Sequence, residues 1–423
     1  MPAAARAAAG LLALWLGACA TPEAPAPETP AAPPSAAAPP PAPAALLLPA
    51  DWSDLPGWRQ DRLSEALPAL RQQCAAPRRP ATEPPGAIPP ALLGDAAWWQ
   101  ALCRDAARLP PGNQAAARRF VQARFRPMQL RPQETTAQGL LTGYFEPVYA
   151  GCTAPGPGCT SPVRGRPPGL LNVDAGRIDP RQGGTRIRGC IDRGALSPCP
   201  DRAAIEAGRL ADAPVLAWMD QVEKFFLQIQ GSGRVVLAEG GVLRLGYAAQ
   251  NFSPYVPIGR VLLEQGQLSR PVSMQSIRAW LLANPGRVEA TLNANPSYVF
   301  FRVLDLPEEL GPIGSLGVPL TPGRSVAVDP AVVPLGLPVY LATPGPAQGV
   351  APRLAFAQDT GGAIRGVARA DLFTGTGPEA GEVAGRLAAP LSLWVLLPNL
   401  PHLVAESAVT LPPPTLPPPG SAR

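Results

Sequence analysis

Side chains that usually carry chemistry are scarce in this chain. Its 423 residues include one histidine, His402, and one lysine, Lys224. A Ser-His-Asp or Cys-His site would need His402, which sits between Pro401 and a proline-rich tail, so nucleophilic triads are disfavoured. No G-x-x-x-x-G-K-[ST] occurs, and GTGPEAG does not fit G-x-G-x-x-G, which leaves phosphate-cradling loops without support. EF-hand spacing is absent, the cysteine pairs are too widely spaced for zinc and lack histidine beside them, and no metal or cofactor is expected. Net charge is only +5, and all but one of the 36 basic residues are arginine, with no basic block, so nucleic acid is not suggested. Acid/base chemistry falls to carboxylates.

The first eighteen residues carry Arg6 and then an apolar run through Leu16 that is too short to span a bilayer, the pattern of an export signal. Leu16-Gly17-Ala18-Cys19 resembles the bacterial lipobox, in which the cysteine becomes an acylated N-terminus. Ala20 is not the aspartate of an inner-membrane retention signal, so the expectation is a lipoprotein held through Cys19 in the outer membrane, facing the periplasm. From Ala20 to Ala45, ten of 26 residues are Pro and eleven are Ala, which predicts an extended tether over 19–49. At roughly 3.1 Å per residue it could reach about 80 Å. Six cysteines remain, Cys74, Cys103, Cys152, Cys159, Cys190 and Cys199; an even count in an exported protein favours disulfides. Sequence leaves all of the roughly 15 pairings open, though short gaps make Cys152 with Cys159 and Cys190 with Cys199 natural partners.

Helical spacing covers Trp58–Gln73 and Ala91–Phe125, and an amphipathic helix is expected from Ser273 to about Leu282 with a further piece to Asn293. Beyond Leu140 the texture is short β-rich runs cut by Gly and Pro: LLTGYFEPVYAG, FFLQIQGSGRVVL, VLRLGYAAQN, YVFFRVL, SVAVDP, LPVYLA, RLAFAQD and LSLWVLLP. Such a series points to a barrel or sandwich. The tail 401–423 reads as disordered.

Two aspartates flank a glycine-rich turn in AQDTGGAIRGVARADLF. Asp359 ends an apolar run and Asp371 lies in the returning one, so if both runs belong to one barrel the turn could bring the carboxylates together at its rim. A carboxyl beside another, or in apolar surroundings, keeps its proton toward neutral pH and can act as a general acid. For Asp359, capping of its own turn is an equal alternative. Asp329, before a proline in AVDPAVVPLG, reads as a turn residue, and Glu146 as a surface or strand-end residue.

Several ordered blocks carry a resemblance. AVDPAVVPLGLPVYL, AQDTGGAIRG and RADLFTGTGPEAG, preceded by LTGYFEPVY, FFLQIQGSGRV, GYAAQN, MQSIRAWL and NPSYVFFR, resemble the membrane-bound lytic transglycosylase A family, with its C-terminal three-aspartate module. The resemblance implies a mainly β fold, a double-psi β-barrel (50–147 plus 307–400) with a smaller inserted β domain (148–306) and a few peripheral helices. It implies an exolytic lyase that cuts the β-1,4 bond between N-acetylmuramic acid and N-acetylglucosamine in peptidoglycan and leaves 1,6-anhydromuramoyl ends. Asp371 falls on the family's catalytic aspartate, although Ala370 replaces an aromatic carried by other members. Asp359 is then its support, and Thr142, Gly143, Tyr144, Gln230, Gly231, Ser232, Gly361 and Gly362 would meet the glycan strand. Cell-wall synthesis proteins are expected partners, beside the glycan and the membrane reached through Cys19. Two rival readings stay open: a non-catalytic, expansin-like wall-binding lipoprotein, and a muramidase using Asp359 and Asp371 as a carboxylate pair.

Overall fold

The computed structural model of the chain describes residues 45–76, 87–133, 139–182, 185–344, 350–400 and 408–411. The signal peptide, Cys19, most of the tether and His402 lie outside them. Near-continuous apolar runs can bury both faces of a strand, and SVAV, PVYLA and most of LSLWVLLP do so here.

The first strands are β1 (Ala45–Pro49), β2 (Phe125–Pro132), β3 (Gly139–Glu146) and β4 (Val148–Gly151). Next come β5 (Ser161–Arg164), β6 (Leu170–Asp174), β7 (Arg186–Asp192), β8 (Ala195–Ser197), β9 (Val215–Met219), β10 (Ser232–Leu237), β11 (Val242–Gln250) and β12 (Val299–Val303). The last are β13 (Ser325–Val328), β14 (Pro338–Ala342), β15 (Arg353–Asp359), β16 (Arg369–Thr376), β17 (Ala388–Pro398) and β18 (Val409–Leu411). The fold is mainly β.

The largest sheet runs β14-β15-β13-β16-β3-β17-β2-β1-β18, and β14 also pairs with β17, so six of its strands close into a ring. Eleven-residue β17 makes closure possible: its first residues pair with β3 and later ones lie between β14 and β2. A second sheet, β12-β11-β10-β4, starts one residue after β3 ends, because Pro147 alone separates β3 from β4. One hydrophobic core joins the ring to three helices, α1 (Leu67–Cys74), α2 (Ala96–Arg108) and α3 (Gln114–Arg124), through residues such as Leu47, Trp99, Phe125, Val339 and Trp394. Each fully buried Leu, Val or Phe contributes about 1.5–3 kcal/mol. A separate cluster, including Leu227, Val235, Leu245 and Phe301, lies against the second sheet. Three disulfides add cross-links: Cys74–Cys103 between α1 and α2, Cys152–Cys159, and Cys190–Cys199.

The other helices are α4 (Arg202–Glu206), α5 (Gln221–Gln230), α6 (Ile258–Glu264), α7 (Met274–Ala283), α8 (Val288–Asn293) and α9 (Pro378–Arg386). Ser273 caps α7 as the sequence suggests, while the stretch expected to be helical over Ala91–Phe125 divides into α2 and α3 around Pro110 and Pro111, with Asn113 capping the second. Three expectations are corrected. Phe225–Gln230, read as strand, is the end of α5: Asp220 accepts hydrogen bonds from the Val222 and Glu223 amides, and Gly231 ends the helix at φ 76°, where a glycine costs least. Ala45–Pro49, assigned to the tether, is β1 and pairs with β2. Val409–Leu411, assigned to a disordered tail, is β18 and pairs with β1. The alternating burial of Ala45 and Leu47 explains why the chain folds back there.

Candidate active site

Asp359 and Asp371 meet through a strand that lies far from neither in space but before both in sequence. β15 and β16 do not form a hairpin; β13 runs between them, parallel to β15 and antiparallel to β16. In register, Asp359 faces Ala327, Ala327 faces Asp371, and Asp371 faces Thr142 of β3, which lies parallel to β16. Partners in register share a face of the sheet, so these four residues form one row across four strands. With strands about 4.8 Å apart, the two aspartate backbones stand roughly 10 Å apart, separated by the small side chain of Ala327.

Both carboxyls are half-buried, yet they are furnished differently. Asp359 Oδ1 accepts hydrogen bonds from Ser315 N at 2.9 Å, Ser315 Oγ at 2.8 Å and Thr360 N at 2.9 Å. Its Oδ2 accepts from the Tyr144 hydroxyl at 2.8 Å. Among the described residues Asp371 has a single hydrogen-bond donor, Thr142 Oγ1, at 2.6 Å from Oδ1. Burial pushes the Asp371 carboxyl above the usual carboxylate range; the Thr142 hydrogen bond and the Arg369 charge oppose that, and the Asp359 charge adds to it. Burial also raises Asp359, against the pull of its donors from Ser315, Thr360 and Tyr144. Tyr144 is raised well above its ordinary value, first by burial and then by both aspartates, so it remains a neutral donor.

The surrounding scaffold explains the geometry. Thr142 and Tyr144 are two residues apart on β3 and therefore project to the same face, one toward each aspartate. Gly143, between them, lies against α9: a Cβ there would come within 2.8 Å of the Ala384 Cα, and one at Gly381 within 2.9 Å of the Phe145 ring. Close approach of helix to strand is thus a sufficient reason for glycine at 143. Asp329 is buried and accepts from the Ala331 amide at 3.1 Å and the Gly366 amide at 2.7 Å, which ties the loop between Asp359 and Asp371 to the end of β13. In that loop Gly361 packs near Ile364, while Gly362 is exposed with open space around it.

Gln230, Gly231 and Ser232 lie at the passage from α5 to β10. This turn sits beside the end of β3, since Arg234 donates from its amide to Pro147 O at 2.9 Å. Glu146, expected at the surface or a strand end, is at the strand end but fully buried. Its carboxylate accepts from Arg234 Nε at 2.9 Å, Thr376 Oγ1 at 2.8 Å and Arg244 Nη2 at 3.3 Å. Sequence reading missed Ser315, Thr360 and Ala327. Ser315 lies 44 positions from Asp359 and in an irregular segment, so no local pattern signals it. Among the described residues no group of three or more His, Cys, Asp or Glu could hold a metal ion, and no helix is long and apolar enough to cross a membrane.

Two family models match this chain, one described as the MltA specific insert domain over residues 140–302 and one as the 3D domain over residues 324–397. A curated protein from Vibrio cholerae named membrane-bound lytic murein transglycosylase A is 36% identical over 227 residues, which is 51% of this chain and 60% of that one. The chain therefore matches less than two thirds of the length of that relative. The crystal structure of a membrane-bound lytic murein transglycosylase from Agrobacterium tumefaciens is similar at a TM-score of 0.70 and 33% identity, covering 83% of this chain and 97% of that one. The structure of E. coli MltA with bound chitohexaose is similar at a TM-score of 0.60 and 25% identity, covering 84% and 94%.

Proposed function

This chain belongs to the membrane-bound lytic murein transglycosylase A family, and on that premise we propose that it cleaves the β-1,4 bond between N-acetylmuramic acid and N-acetylglucosamine in peptidoglycan, leaving 1,6-anhydromuramoyl ends. The observation that carries the assignment of roles is the contrast between the aspartates: burial raises the pKa of both, but among the described residues Asp371 has one hydrogen-bond donor, whereas Asp359 is occupied by four. An acid that keeps its proton toward neutral pH and has a free oxygen can protonate a leaving glycosidic oxygen. The resulting carboxylate then takes the proton from the muramic acid O6 as that oxygen closes on C1. Because O6 is tethered to the reacting sugar, its effective concentration is high and no activated water is needed. One carboxyl group serves both steps, which a hydrolase would divide between two.

Asp359 is read as a positioning residue. Its four hydrogen bonds leave it poorly suited to attack a sugar or activate water, which counts against the muramidase alternative. Thr142 and Tyr144 line the row beside the aspartates and, with Gly143, Gln230, Gly231, Ser232, Gly361 and Gly362, are assigned to the glycan-binding surface. The closed ring of mixed strands supports a double-psi β-barrel formed by 50–147 and 307–400, with 148–306 as the insertion and the glycan held between the two. Anchorage to the outer membrane through a lipid on Cys19 agrees with relatives named membrane-bound. Digestion of purified sacculi tests the reaction: muropeptides ending in 1,6-anhydro sugar are expected, reducing N-acetylmuramic acid ends would favour the muramidase, and no release would favour a non-catalytic binder.

A further inference from the structure

A cavity of about 570 Å³ opens at the edge of the second sheet, walled by Arg166, Pro214, Leu216, Tyr247, Phe301 and Arg302. Its position follows from an irregularity in the β11–β12 ladder. Tyr247 pairs with Phe301 and Ala249 with Phe300, so Ala248 is an extra residue on β11, and a bulge of this kind bends the strand and re-aims its side chains. On the far side of β12, Gly165 forms a bridge to Phe301 and brings Arg166 to the rim. Tyr247 is left 40% exposed, so its ring faces the opening rather than a core.

The charge of this place is one-sided. No Asp or Glu lines the cavity. The exposed side chain of Arg302 makes no ion pair or hydrogen bond among the described residues, while Arg166 spends only one nitrogen, Nη2, on Leu170 O at 2.7 Å. A third guanidinium, Arg188, stands within electrostatic reach of Tyr247, stacks over Phe252 at 6.0 Å and has a buried Nε without a partner among the described residues. Grouped cations with no counter-charge repel one another, and a planar guanidinium is the side chain best shaped to take a carboxylate through two parallel hydrogen bonds. Beside them, Pro214, Leu216 and Phe301 offer apolar wall. An anionic, carboxylate-bearing ligand with small apolar side chains suits that combination, whereas a neutral glycan leaves the charge unanswered.

We infer that this cavity is a peptide subsite, which holds a free carboxylate of the short acidic stem peptide attached to the wall glycan. The inference rests on the proposed reading of the substrate as peptidoglycan and assigns to this chain a contact with the peptide in addition to the sugar.

Titration of the full chain with a soluble stem tetrapeptide, freed of sugar, tests it. Saturable binding that weakens with salt is expected, and Arg302→Ala should raise Kd at least tenfold. Arg166→Gln, at a second exposed position, should weaken binding in the same direction. A tetrapeptide with all carboxylates amidated should not bind. Equal affinity for the amidated peptide, unchanged affinity in both variants, or no binding by the parent chain overturns the subsite. No glycosidic bond is broken in this titration, so it is independent of the sacculus digestion. Anhydro ends without peptide binding defeat the subsite alone, and peptide binding without anhydro ends defeats the cleavage reading alone.

Discussion

Four residues apart on β3, about 13 Å along the strand, the molecule keeps carboxylates in two opposite settings. At Thr142 the row across the ring presents Asp371 with one hydroxyl donor and the Arg369 charge nearby. At the end of the strand, Glu146 is enclosed by Arg234, Arg244 and Thr376, and the same two arginines also reach Leu310 O. Burial is deeper at Glu146, yet the chemistry is proposed for Asp371. What separates them is pairing. A buried carboxylate bonded to two guanidinium groups joins β3, β10, β11 and the Leu310 segment, while one with few donors and a raised pKa is the one proposed to move a proton.

The largest expected effect tests the poorly paired side. Replacing Asp371 with Asn keeps size and polarity but removes the proton proposed to be donated and taken back. General acid/base catalysis is worth roughly 10²- to 10⁴-fold, so release of anhydro muropeptides should fall by at least that much, with sacculus binding retained. Near-parent turnover in the variant would remove the basis for treating the two carboxylate regions as different in kind.

On the well-paired side the effect should appear in stability. Glu146→Ala leaves Arg234 and Arg244 facing each other in a buried site, and breaking a buried pair costs about 3–5 kcal/mol. Denaturant unfolding should show a loss in that range, whereas Glu146→Gln, which retains one acceptor oxygen, should lose less. If Glu146→Ala unfolds like the parent, the arginine node is not what holds the sheets at that point.

A third test uses pH. The pKa of Asp371 is raised in the fold, so its favourable contribution is fully present below the unfolded value of about 3.9 and is lost as pH rises through the folded pKa. Asn does not titrate. Asp371→Asn should therefore gain stability relative to the parent as pH rises toward neutral and lose that advantage in acid, measured as the difference in Tm across pH 4 to 8. A constant difference, or one of opposite slope, contradicts the environment described for Asp371.

Parts of this arrangement are legible in sequence and parts are not, for physical reasons. Apolar alternation and punctuation by Gly and Pro locate β13 to β17, and Ser273 marks the start of α7, because these are local properties of the chain. The aspartates stand out because so few other groups can move a proton, but their ranking came from resemblance. Pairing partners are not local: nothing in AVDP announces that β13 passes between Asp359 and Asp371, or that Ala327 spaces them. Helix α5 was misread because Phe225, Phe226 and Leu227 suit either element and the deciding signals are its ends, Asp220 and Gly231. Glu146 stands at a strand end, one of the two places expected of it, but its burial is not legible because its arginines arrive from 88 and 98 positions away.

The finest comparison lies within the row itself, where two neighbours pull Asp371 in opposite directions. Thr142 donates to the carboxylate and lowers its pKa, and the negative charge of Asp359 raises it. Thr142→Val deletes the donor with little change in volume, so the basic limb of the kcat/KM profile, which reports the free enzyme's acid, should move to higher pH. Thr142→Ser keeps the hydroxyl and should restore the parent profile. Asp359→Asn can still accept from Ser315 and Thr360 through its oxygen, while its amide nitrogen turns to the Tyr144 hydroxyl as donor. The row then keeps its shape and loses only charge, and the same limb should move to lower pH. These shifts are modest beside the loss expected from Asp371→Asn, but their opposite signs are the stronger constraint: a merely structural role for either residue lowers activity at every pH and leaves the limb where it was.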